Sequence, residues 1–154
     1  MEDALGAPAA DATPPEKASV AYWIISILSL LWNAFGGFDY TMTNTRNAEY
    51  LKNFPPEMMT VIDAFPAWAT AAWACGVWGA LAGSVLLLLR SRYAVHAFAV
   101  SLAGLAVSTV YQQTIDLPEF MKSGGQIGMQ AVIWIIAIGL LWFAVSRRKA
   151  GVLR

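Results

Sequence analysis

The run AWATAAWACGVWGALAGSVLLLL, Ala67 to Leu89, contains no Asp, Glu, Lys or Arg, and its reading decides the fold. A helix rises 1.5 Å per residue, so about 20 apolar residues cross the ~30 Å hydrocarbon layer of a bilayer. Strands of membrane barrels are only ~10 residues long and alternate apolar with polar positions, which this run does not. A backbone in lipid must satisfy its own hydrogen bonds, and over this length that means a helix.

Three further runs of the same character lie on either side: Val20 to Phe38, about Ala94 to Gln112, and Ile127 to Ser146. The run from Ala94 to Gln112 is rich in Ala, Ser, Gly and Val, a composition suited to a helix shielded by its neighbours. The expected fold class is therefore all-α: a polytopic membrane protein with a four-helix transmembrane bundle over residues 19–148. Composition agrees, because 58% of the 154 residues are hydrophobic and only 13% are charged, against roughly 25% charged in soluble domains. The mean hydropathy is +0.53.

Residues 1–18 (MEDALGAPAADATPPEKA) are Ala-, Pro- and acid-rich without apolar period and read as a disordered tail. Its charge is acidic, and no Ala-x-Ala-like site follows the first apolar run, so that span is expected to stay in the mature protein. Residues 149–154 read as a basic tail. Seven of the ten Lys and Arg, namely Lys17, Arg90, Arg92, Arg147, Arg148, Lys149 and Arg154, fall on the side of the two termini, and only Arg46, Lys52 and Lys122 fall opposite. By the positive-inside rule both termini are expected in the cytoplasm.

The chain leaves the first span through GGFDYTMTNTRNAEYLKNF, Gly36 to Phe54. If the helix continues there, Asp39, Thr43, Arg46 and Tyr50 form one polar stripe. The next stretch, FPPEMMTVIDAFP, offers Pro56 as a first-turn residue, Glu57 at the positive helix end, and Met58, Met59, Ile62 and Phe65 along one side. It predicts a short interfacial helix in the first outer loop.

Within the spans, Ala72, Gly76, Gly79 and Gly83 recur at intervals of four, three and four, so they share a face on which another backbone can approach closely. Ser101, Gly104 and Ser108 form a matching line, which predicts that spans two and three pack along these residues. Tyr22, Trp23, Trp68, Tyr93 and Trp142 are placed near water boundaries, where amphipathic rings sit well. Trp32, Trp73, Trp78 and Trp134 lie deeper, as packing bulk.

The candidate site is a polar cluster at the outer boundary: Asn33, Asp39, Tyr40, Arg46, Tyr111, Gln112 and Asp116. Such groups are costly near a bundle interior unless paired or solvated, so the cluster reads either as a structural cap or as a site for a small polar ligand. Other chemistry is excluded by counting. One cysteine, Cys75, permits no internal disulfide or dithiol relay, and one histidine, His96, permits no bis-imidazole haem site or zinc cluster. No Gly-x-Ser-x-Gly elbow, His-Glu-x-x-His motif or phosphate loop is present. A zero formal net charge with scattered basic residues gives no footprint for nucleic acid. No catalytic set, metal or cofactor is expected.

The runs WNAFGGFDYTMTNTRNAEYL, FPAWATAAWACGVWGALAGSVLLLLRSRYA and SLAGLAVSTVYQ, between Trp32 and Gln112, resemble a widespread group of small four-span bacterial membrane proteins of unassigned function, some labelled "sugar transporter". The resemblance implies a bacterial inner-membrane setting and supplies no binding residues. The role expected is that of a non-enzymatic accessory or structural subunit, with the lipid bilayer and either a homo-oligomer or a larger membrane complex as partners. The alternative is a small oligomeric transporter or channel for a sugar-like or cationic solute. Small multidrug exporters also have four spans but depend on an intramembrane acid, and no span here contains one.

Overall fold

A computed structural model of the chain describes residues 17–154. Most of the Ala- and Pro-rich tail lies outside them. The first helix, α1 (Val20–Asn44), is capped by Ser19, whose side chain accepts from Tyr22 N at 3.2 Å. It runs past the expected boundary at Phe38, and polar side chains in the added turns bond back to carbonyls one turn earlier. Thr41 Oγ1 donates to Gly37 O at 2.7 Å, and Asn44 Nδ2 donates to Tyr40 O at 3.0 Å. Hydropathy marks where lipid ends; hydrogen bonding decides where the helix ends.

Two short helices follow, α2 (Ala48–Leu51) and α3 (Pro56–Asp63). The interfacial helix read from FPPEMM is α3, with Pro56 in its first turn; its most buried residue is Val61, beside half-buried Met58, Met59 and Ile62. Then come α4 (Ala67–Leu88), α5 (Ala94–Gln113), a 3-10 turn at Glu119–Lys122, and α6 (Gly124–Lys149). The last helix exceeds the expected 127–146 at both ends, and its final turn carries Arg147, Arg148 and Lys149, where cations complement the helix dipole.

Three helix ends close with the same left-handed residue. Beyond α6 it is Gly151 at φ 75°, and Val152 N donates to Arg147 O at 3.0 Å. Beyond α1 and α4 the position holds Arg46 (φ 53°) and Arg90 (φ 55°). A non-glycine there costs on the order of 1 kcal/mol, offset by the carbonyls satisfied: Asn47 N to Met42 O at 3.0 Å and Ser91 N to Leu86 O at 2.8 Å.

The protein is an all-α polytopic bundle, and α1, α4, α5 and α6 are each long and apolar enough to cross a membrane. They pack in the order α1, α4, α5, α6. The ends of this row meet near the termini, where the Tyr22 and Phe143 rings stack with centroids 5.8 Å apart. The core is at this same end: Tyr22, Leu87, Ala94, Phe98, Leu140 and Ala144 surround Val152 and Leu153. Residues 150–154 are therefore not a free basic tail. They fold back under the bundle because Val152 and Leu153 are apolar, and both are buried. Ile24, Leu28, Leu31 and Phe35 on α1, and Ile135 and Trp142 on α6, stay exposed as lipid-facing surface.

Candidate functional site

The polar side chains inside the bundle are aligned first by α1. Tyr22, Ser26, Ser29, Asn33 and Gly37 are its buried positions apart from Thr43, and they follow one another at intervals of three or four. This line faces α4. Ser29 Oγ and Ser84 Oγ share a hydrogen bond of 2.6 Å, and Asn33 Nδ2 donates to Ser84 Oγ at 2.8 Å. Ser84 also bonds to Ala80 O at 2.9 Å. Nearer the termini, Tyr22 OH donates to Leu87 O at 2.5 Å. Asn33 is thus part of a seam between α1 and α4. Tyr22, placed at a water boundary by its sequence position, is only 1% exposed and belongs to the same seam.

The other residues of the expected cluster take separate partners. Asp39 accepts from Tyr50 OH at 2.5 Å, because the left-handed turn at Arg46 sends α2 back along the end of α1. Burial, followed by the bond to Asp39 and that residue's charge, pushes the Tyr50 phenol up to about 12, so it acts as a donor at neutral pH. Tyr40 meets Trp73 and Trp78 edge-on, with centroids 4.8 and 6.2 Å away. Arg46 reaches Asp63 on α3 rather than Asp39, and both are exposed. The hydrogen bond and charge of Asp63 raise the Arg46 guanidinium above its ordinary value.

Tyr111 on α5 lies between Phe65 and Trp68, each with its centroid 5.1 Å away. Asp116 pairs with Lys122 at 3.5 Å on the surface. Gln112 is half-buried, and no side-chain bond joins it to the rest among the described residues. The seven side chains therefore occupy several sets of contacts, not one hydrogen-bonded network.

What the loop end does form is an open groove of ≈ 520 Å³ between α1 and α2, lined by Phe38, Met42, Asn47, Glu49, Tyr50, Asn53 and Phe54. Its rings and carboxamides suit a small solute with both apolar and polar faces. Among the described residues, no three or more His, Cys, Asp or Glu come together as a metal site.

The second organised region is the contact of α4 with α5. A Cβ added at Gly104 would lie 2.5 Å from both Ala72 O and Gly76 N, so the two backbones are as close as glycine allows. Ser101 Oγ donates to Gly76 O at 2.6 Å. Gly79 faces the Ser101 backbone, Gly83 faces the Phe98 ring, and Ser108 is buried with its hydroxyl unpartnered among the described residues.

Ser84 and Asp63 were not singled out by sequence reasoning, which placed Tyr50 only in a stripe with Asp39, Thr43 and Arg46. Ser84 had a faint signal, as a lone hydroxyl in a run of Val and Leu; the partners of Tyr50 and Asp63 depend on the turn at Arg46. No family model matches the chain, and no curated protein or solved structure matches it. The resemblance noted above rests on the quoted runs alone.

Proposed function

We propose that the protein is a non-enzymatic integral membrane subunit that supports a larger membrane assembly. The observation that carries this reading is the unequal enclosure of the helices. The apolar window of α6 has a mean hydropathy of 2.1, the highest of the four, yet only 11% of it is buried within the chain. A Cβ at Gly128 or Gly139 on that helix would meet nothing within 4 Å. Ser26, Ser29, Asn33, Ser84 and Ser101 are already engaged in bonds within or between helices, which leaves them to hold the bundle rather than line a path.

The setting proposed is a bacterial inner membrane with both termini in the cytoplasm, supported by the distribution of Lys and Arg and by the four-span resemblance. The second reading, a small oligomeric transporter or channel, draws on the groove beside Asp39 and Tyr50. Purification in mild detergent separates the two. A stable stoichiometric partner supports the subunit; a lone oligomer whose melting temperature rises with sugars or organic cations supports transport and overturns it. Orientation is checked separately: alkaline phosphatase fused after Asn47 should be active, and fused after Arg92 or Arg148 inactive.

A further inference from the structure

We propose that Arg90, Arg92 and Arg154 form a site for the headgroup of an anionic phospholipid. These residues are far apart in sequence, and the backbone brings them together. Arg92 N donates to Arg154 O, and Arg154 N donates to Arg90 O, both at 2.8 Å. Arg90 Nε donates to Val152 O at 3.1 Å. Val152 and Leu153, 1% and 4% exposed, anchor this segment in the core, so the three guanidinium groups start from a fixed frame.

Among the described residues, no Asp or Glu side chain pairs with these three arginines. The ion pairs of Arg46 with Asp63, Lys52 with Glu49, and Lys122 with Asp116 and Glu119 lie at the opposite end of the bundle. All the acids from residue 17 onward are at that end too, including Asp39 and Glu57. Arg90 is half-buried beside the apolar core, and its Nε is taken while its two Nη groups have no partner among the described residues. A positive charge held at the edge of an apolar core is unfavourable until an anion reaches it. A guanidinium fork matches the oxygens of a phosphate.

The level of the site selects which phosphate. The patch lies where α4 ends and α5 begins, at the boundary of two spans. Tyr93 beside it is 57% exposed, and Arg92 Cζ sits 5.5 Å from its ring centroid. An exposed aromatic at this depth is a headgroup-layer residue. A zwitterionic lipid covers its phosphate with its own ammonium group, whereas an anionic lipid leaves the charge to the protein. The inference depends on the four-span fold and not on the subunit role.

The test is titration of the purified full-length chain in detergent with phosphatidylglycerol or phosphatidylcholine, with bound lipid read by native mass spectrometry. Saturable phosphatidylglycerol binding is expected, with phosphatidylcholine much weaker. In Arg92→Gln/Arg154→Gln the half-saturation point should rise about 10- to 30-fold. Both residues contribute main-chain bonds to the fold, which that variant keeps. The control Arg148→Gln/Lys149→Gln removes the same charge from the last turn of α6 and should bind nearly as the native chain does. Equal weakening in both variants means diffuse attraction and overturns the site, as does equal binding of the two lipids. Displacement by inorganic phosphate at the lipid's own concentration would assign a free-phosphate site instead and overturn the lipid assignment.

Discussion

Helix α4 is held on two sides by opposite means. Toward α1 it presents Ser84 and the carbonyl of Leu87, which take hydrogen bonds from Asn33 and Tyr22. Toward α5 it presents Gly76, Gly79 and Gly83, where side chains are absent and the backbones close up. Lipid tails are as apolar as leucine, so burial of apolar surface gives helices in a bilayer little reason to associate. Polar pairing and close approach are the two remaining sources of attraction, and α4 uses one on each side. The polar seam should be sensitive to a lost partner, and the glycine seam to an added atom.

The largest expected effect breaks the glycine seam. Gly104→Leu places bulk where even a Cβ would be 2.5 Å from backbone atoms of Ala72 and Gly76, and should destabilise the bundle by about 3 kcal/mol or more. Gly83→Ala should cost only about 1 kcal/mol, because the obstacle is the Phe98 ring, which can move. Unfolding in detergent measures both. Native stability in Gly104→Leu would mean that α4 and α5 are not in close contact.

The polar seam is tested next. Ser84→Ala leaves Asn33 Nδ2 with only a 3.5 Å contact to Ser29 Oγ, and the loss should be about 1 to 2 kcal/mol. In that background Asn33→Leu should cost less than it does in the native chain, since the partner is already gone. Additive losses would show that the two residues do not act through one bond.

The loop end serves as a comparison outside both seams. Arg46→Gln should lower the melting temperature far less than Ser84→Ala, because its pair with Asp63 is solvent-exposed. Adding Asp63→Asn should change little further, whereas adding Asp39→Asn should produce an independent effect through Tyr50. A rescue by Asp39→Asn would place Asp39, not Asp63, opposite Arg46.

The smallest effect concerns pH. The Tyr50 phenol titrates at about 12 in the fold against 10.0 ordinarily, so its neutral form is the one the fold favours. Its contribution to stability is complete below pH 10 and is lost as pH rises from 10 towards 12. Tyr50→Phe should flatten melting temperature across that interval; an unchanged slope would remove Tyr50 as its cause.

The loop end also shows where sequence reading stops. The spacing of Asp39, Thr43, Arg46 and Tyr50 puts them on one stripe only while the helix continues. At Arg46 the backbone turns left-handed instead, Tyr50 returns to Asp39 from α2, and Arg46 swings to α3. Ser26, Ser29 and Asn33 are visible as the polar residues of an apolar run, but a single hydroxyl at Ser84 carries no period that identifies it as their partner. The spacing of Ala72, Gly76, Gly79 and Gly83 is legible for the opposite reason, since it is a repeat within one helix.

The sequence by itself determined the four apolar crossings, the short helix after Pro56 and the uneven distribution of basic residues. Each is a property of one segment, set by the cost of placing its own backbone and side chains in lipid or water. Only the tertiary structure decided that Asn33 meets Ser84, that Gly104 touches the backbone of Ala72 and Gly76, and that Arg154 joins Arg90 and Arg92. Those contacts depend on where a distant segment lies and on left-handed turns at two arginines, and short-range periodicity carries no information about either.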